Sequence, residues 1–147
     1  MLRVLAWFLA AAPLLNAVQA AAPRPQDALK TPADTRQLAE FAMQLIAGDK
    51  VDAAFERLKP YWPLPANEVD SVVLKTIAAR NTVSDRFGKT TGYALVREEK
   101  IADFLIRYTY AEKREKHILR WIFYFYRPAD VWIVNSVTWD DNIQGLF

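Results

Sequence analysis

Apolar residues recur along this chain in three regimes. An almost unbroken run from Val4 to Leu15 comes first, a spacing of about 3.6 governs the stretch from Thr31 to Gly88, and from Thr90 onward the period falls to about 2. The middle regime divides into three predicted helices. Thr31-Pro32-Ala33-Asp34 supplies a cap, a first-turn proline and an acid near the positive end of the dipole; Leu38, Phe41, Ala42, Leu45 and Ile46 form the buried stripe, and Gly48 stops it. Asp49 is the expected cap of a second, shorter helix carrying Val51, Ala54, Phe55 and Leu58, which Pro60 ends. Pro60-Tyr61-Trp62-Pro63-Leu64-Pro65 reads as a stiff extended loop, excluded from helix and inner strand, that carries two large rings. Asn67 opens the third helix, with Val69, Val72, Val73, Thr76 and Ile77 on its stripe, and Gly88 closes it after Phe87.

The period-two regime predicts strands over Tyr93 to Ile101 and Phe104 to Glu112, then a long hairpin over His117 to Asp141 that turns at Arg127 to Asp130 and holds three of the five tryptophans. Helices followed by antiparallel strands, without an internal repeat, predict an α+β domain with the N-terminal helices on one face of a sheet of about four strands. Four-residue turns would set Glu112 opposite His117, His117 opposite Asp140, Tyr108 opposite Trp121 and Trp121 opposite Ser136. The inner face then holds Phe104, Ile106, Tyr108, Tyr110, Leu119, Trp121, Phe123, Phe125, Trp132 and Val134. Leu105, Ile118, Ile122, Tyr124, Tyr126, Val131, Ile133, Val137 and Trp139 fall on the outer face, with Arg107, Arg120 and Asn135 among them. An outer face so apolar calls for a strongly curved sheet or a second subunit, so a homodimer through it is expected.

The first regime changes the picture of location. A positive start at Arg3, the apolar run and the small-residue ending Ala17-Val18-Gln19-Ala20 predict a signal peptide over residues 1–20, too short to serve as a membrane anchor. Residues 21–30, AAPRPQDALK, read as a flexible leader, and residues 31–147 as one domain of an exported, periplasmic or secreted protein. Without Arg3 the chain has 18 basic residues against 17 acidic ones, a balance that gives no nucleic-acid footprint. No membrane association is expected once the signal is removed.

Candidate chemistry is sparse. With no cysteine and a single histidine, a tetrahedral zinc site is excluded, and Glu98-Glu99 and Asp140-Asp141 point to opposite faces of their strands and cannot chelate together. Phosphate-cradle and serine-elbow motifs are missing, and no cofactor or metal is called for. One constellation could move protons: the expected register puts Glu112, His117 and Asp140 in a single row, an imidazole between two carboxylates. A one-residue bulge would destroy that alignment.

Trp-x-Phe-x-Phe-Tyr-Arg-Pro at Trp121 to Pro128, the following Trp132 and Asp-Asp-Asn at Asp140 to Asn142 resemble the nuclear transport factor 2-like, or cystatin-like cone, domains of secreted bacterial proteins, over roughly residues 31–145. The resemblance implies a strongly bent sheet wrapped about helices, a pocket inside the cone and often a dimer through the outer face. It selects no activity, since such folds serve isomerases, dehydratases, hydrolases and transport adaptors alike. An inner face of Phe, Trp, Ile and Leu favours a non-enzymatic domain binding a small apolar or aromatic ligand, or a partner, with Trp62, Tyr108 and Trp121 as the contact residues. Two alternatives stand beside it. One is a lyase or isomerase using His117 and Asp140, the other an envelope-associated interaction protein acting through its outer face.

Overall fold

The computed structural model describes residues 27–147; the expected signal peptide and the first part of the expected leader lie outside them. Three helices, α1 (Pro32–Ala47), α2 (Val51–Leu58) and α3 (Ala66–Phe87), precede four strands, β1 (Thr90–Ile101), β2 (Leu105–Arg114), β3 (Ile118–Tyr126) and β4 (Ile133–Asp140). The strands form one antiparallel sheet in the order of the chain, so the protein is an α+β domain with its N-terminal helices packed with the sheet.

Helix α1 begins as its sequence dictates. Thr31 Oγ1 accepts from the Asp34 amide at 3.2 Å, while Asp34 Oδ2 accepts from the Thr31 amide at 2.8 Å, a reciprocal capping box that satisfies donors otherwise left open. Its buried stripe, Leu38, Ala39, Ala42, Met43 and Ile46, packs on α2 and on the first two strands. Asp49 is not the cap of α2. It sits in the left-handed region at φ 60°, and the cap position falls to Lys50, which makes no side-chain capping bond. Lys59–Tyr61 forms a 3-10 helix where an extended loop was expected, because a proline at a first helical position loses no hydrogen bond.

Strand register corrects the expected alignment twice. β2 runs on to Arg114, and the Arg114 amide donates to the His117 carbonyl at 2.9 Å, so the turn is tighter and Tyr110 pairs with Trp121, Tyr108 with Phe123 and Glu112 with Leu119. This shift is even, so every side chain of β2 and β3 keeps its expected face, and Ile106, Tyr108, Tyr110, Leu119, Trp121, Phe123 and Phe125 are buried. β4 behaves differently. Tyr124 pairs with Ser136 but Phe125 pairs with Val134, so Asn135 is the extra residue of a bulge and the face of everything after it is exchanged. Val137 and Trp139, expected outside, lie inside, and Trp139 stacks on Trp121 at 5.5 Å; Asp140 passes to the outer face beside Arg120. Phe104, expected inside, belongs to the corner between β1 and β2, where Ala102 takes φ 48°, and is 42% exposed.

Two terminal segments complete the sheet. The Trp132 amide donates to the Leu29 carbonyl at 2.7 Å, and Leu29 is 1% exposed, so the part of the expected leader next to α1 is a fixed, core-forming piece. At the other end Ile143–Leu146 forms a 3-10 helix held against the outer face. Arg97 donates to the Leu146 carbonyl at 2.6 Å and Arg120 to that of Gly145 at 3.1 Å, and Thr109 and Ala111, the strand partners of these arginines, are buried. Part of the apolar outer face is therefore covered from within the chain.

Candidate functional site

The residues expected to form a proton-transfer row are held apart. Glu112 points inward and is wholly buried, accepting from Arg80 Nη1 at 2.7 Å, Trp121 Nε1 at 2.8 Å, Thr90 Oγ1 at 2.5 Å and Arg114 Nη1 at 3.3 Å. A carboxylate with every lone pair occupied by fixed donors is a structural hub. His117 stacks on Phe87 at 4.3 Å, and its Nε2 contacts the Asp141 carbonyl at 3.1 Å. Asp140 is bound on the opposite face by Arg120 at 3.1 and 2.5 Å. Burial pushes the Asp140 carboxyl up, but the Arg120 bonds and charge and the Asn142 amide outweigh it and leave it below the ordinary carboxylate value. The register shift and the bulge at Asn135 thus separate the imidazole from both acids.

The three aromatic candidates also part company. Tyr108 is fully buried, its hydroxyl 2.9 Å from Thr35 Oγ1 and donating to the Pro32 carbonyl at 3.1 Å, and Trp121 is locked between Trp139 and the Glu112 network. Both are core residues. Trp62 alone borders open space. Held by a stacking contact with Phe55 at 6.2 Å, it lines a cavity of about 300 Å³ together with Asp27, Leu29, Tyr61, Pro63 and Trp132. Pro60, Ala28, Val131 and Ile133 complete the wall.

The fold builds this cavity from three separate pieces. The 3-10 helix and Pro63 fix Tyr61 and Trp62 at the end of α2, the connection from β3 to β4 brings Val131 and Trp132, and the Leu29–Trp132 bridge lays the N-terminal segment across them. Arg127 lies over the Trp132 ring, 5.6 Å from its centroid, and is paired with Asp103. Tyr61 is held protonated above its ordinary range, by burial first. The wall is thus aromatic and aliphatic, with few polar groups, as in sites that hold a small molecule.

Trp132 and Leu29 are the residues of this wall that sequence reasoning did not assign to a site. Trp132 was legible as an inward residue, but nothing in the pattern pairs it with Trp62, seventy positions earlier in the chain. Two smaller hollows lie elsewhere on the domain. A hollow of about 110 Å³ lies beside Arg80, Asp49 and Asp52, and one of about 260 Å³ lies on the outer face among Glu99, Ile101, Leu105, Arg107 and Tyr124. Among the described residues no group of three or more His, Cys, Asp or Glu side chains could hold a metal ion, and no helix is long and apolar enough to cross a membrane.

The class defined by these observations is a small α+β domain with an apolar, aromatic-walled cavity at one end of its sheet. No family model matches the chain, and neither a curated protein nor a solved structure matches it.

Proposed function

We propose that the chain is an exported ligand-binding domain of the nuclear transport factor 2-like type, non-enzymatic, whose small apolar or aromatic ligand occupies the cavity between Trp62 and Trp132. The observation that supports this reading most directly is the cavity itself, about 300 Å³ in volume, at the lower end of the range of small-molecule sites, and walled by residues from three distant parts of the chain, two of which supply aromatic rings. Dispersal of the only imidazole from the carboxylates expected beside it argues in the same direction, away from proton-transfer catalysis.

Native mass spectrometry of the protein purified from a periplasmic extract tests the proposal. We expect a chain beginning after Ala20 that carries an added mass on the order of a few hundred daltons, the size such cavities hold. Protein that always emerges empty, and whose melting temperature is raised by no small apolar compound, overturns the reading.

A specific observation supports a second role for the outer face. Beyond the cover of the C-terminal 3-10 helix it presents exposed Ile101 and Tyr126 and half-buried Leu105, Ile122 and Tyr124, and self-association through these residues is proposed alongside ligand binding.

A further inference from the structure

We infer that two copies of this chain join face to face through the outer side of the sheet, the C-terminal segment of each copy filling the open half of the other. The inference rests on the self-association reading above and specifies its symmetry and contacts. Strand register supplies the geometry. Glu98, Tyr108, Phe123 and Val137 pair in succession across the four strands, and this row faces the helices: Arg36 of α1 reaches Glu98 at 3.1 Å and the other three are buried. The outward-facing rows on either side of it hold Arg97, Thr109 and Ile122 in one case and Glu99, Arg107 and Tyr124 in the other. The C-terminal segment is held on the first side, where Arg97 and Arg120 donate to the Leu146 and Gly145 carbonyls. The second side carries the hollow of about 260 Å³ bounded by Ile101, Leu105 and Tyr124.

A face raised on one half and hollow on the other is complementary to itself. A two-fold axis running across the strands, along the central row, turns the raised half of one copy onto the hollow half of the second and makes the same contact twice. An axis along the strands would set raised half against raised half. Apolar side chains match under the first arrangement. The C-terminal segment leaves Ile143 43% and Phe147 98% exposed, and the open half leaves Ile101 58% exposed beside Leu105, so the pair removes from water what each chain alone leaves in it. Charges match as well. The same axis places Arg97 of one copy opposite Glu99 of the second, in both directions. Among the described residues Arg97 has no carboxylate partner, while Glu99 is held by Arg107 at 2.6 Å. Two reciprocal ion pairs across the axis make a second copy of this chain the occupant that the face fits.

Isotope-filtered NOE spectroscopy on a mixture of ¹³C-labelled and unlabelled chains reads the contact directly, with light scattering giving the mass. Cross-chain NOEs are expected from the Phe147 ring to the Ile101 and Leu105 methyl groups. Phe147→Asp should raise the dissociation constant of the pair at least about tenfold, the loss typical of an aromatic anchor, whereas Leu74→Asp, at an exposed position on α3, should leave it unchanged. Arg97→Glu and Glu99→Arg should each weaken the pair, and the double variant should regain affinity. A glutamate at position 97 cannot donate to the Leu146 carbonyl, so that regain cannot come from a repaired C-terminal segment. If a charge variant fails to fold, the NOEs of the unsubstituted chain decide.

A two-chain mass whose cross-chain NOEs involve neither Phe147 nor Ile101 and Leu105 overturns this arrangement and leaves self-association standing. A double charge variant no tighter than its parents overturns the Arg97–Glu99 contact and the axis that requires it. A one-chain mass overturns both the arrangement and the reading beneath it, whether the hollow is then covered by Phe147 of the same chain or by a segment preceding Asp27.

Discussion

Glu112 and Glu40 show how single carboxylates are used inside this protein. Glu112 joins Arg80 from α3 and Arg114 from its own strand in one buried network, with Trp121 completing it. Replacing it with leucine leaves Arg114 without its counter-charge and Arg80 with only Asp49 at 3.4 Å, and Glu112→Leu is expected to cost about 3–5 kcal/mol in urea unfolding. A loss below about 1 kcal/mol, the range of exposed pairs, would show that solvent reaches the network. Glu40 acts on tyrosines instead. Burial first, and then the Glu40 carboxylate, pushes the Tyr93 hydroxyl up to about 12, and Tyr110, which donates to Glu40 at 3.1 Å, is raised as well. A folded-state value above the unfolded one of about 10 contributes stability that is complete below pH ~10 and is lost as pH rises through about 12. Glu40→Gln should lower the Tyr93 ionisation seen by ¹³Cζ-tyrosine NMR and flatten the alkaline loss of stability; an unchanged titration would remove Glu40 as a cause. Glu112 was legible as an inward strand residue. Its partner Arg80 was not, because a helical stripe is read from apolar residues and a buried arginine looks like a solvent-facing one.

At the level of elements, three helices and four strands were legible because their periods are strong and their ends carry cap, proline and glycine signals. Faces were legible only where any error in counting a turn was even. An even error in the β2–β3 turn was harmless, whereas the single extra residue Asn135 exchanged Val137, Trp139 and Asp140 between faces, and a bulge in a strand of ordinary composition carries no sequence mark. The C-terminal 3-10 helix was equally invisible, since its hold on the sheet comes from backbone carbonyls that any residues could supply. Removing residues 143–147 takes two acceptors from Arg97 and Arg120. A destabilisation of about 1–3 kcal/mol is expected from two net hydrogen bonds. Gly145→Ala should act in the same direction, because a Cβ there would collide with the Arg120 guanidinium. Urea midpoints that do not move in either variant would mean that this segment is a passive tail.

For the molecule as a whole, the aromatic loop and the hairpin were each recognised as rich in rings, but the wall of the space between them is completed by Leu29, which lies outside both. Leu29→Ala should destabilise by about 2–5 kcal/mol, the usual range for a buried leucine, and should weaken binding in the Trp62–Trp132 cavity together with stability. Unaltered ligand affinity in that variant would place the ligand elsewhere. Self-association belongs to the same scale. Light scattering after size exclusion at micromolar concentration should give the mass of two chains, and Tyr124→Asp, which puts a charge at the centre of the outer face, should return one; a single-chain mass before substitution would exclude the outer face as an interface.

The Leu29–Trp132 bridge also sets an order in time. Leu29 is among the first residues of the domain to be synthesised, and its partner follows roughly a hundred positions later, so this contact carries one of the longest loop closures in the fold. A chain emerging N-terminus first can make α1 and α2 early, but it cannot secure the strand segment that precedes them until the last hairpin has formed. The contact that completes the cavity wall is therefore expected to form among the last in the fold, and to tie the two ends of the domain together once made.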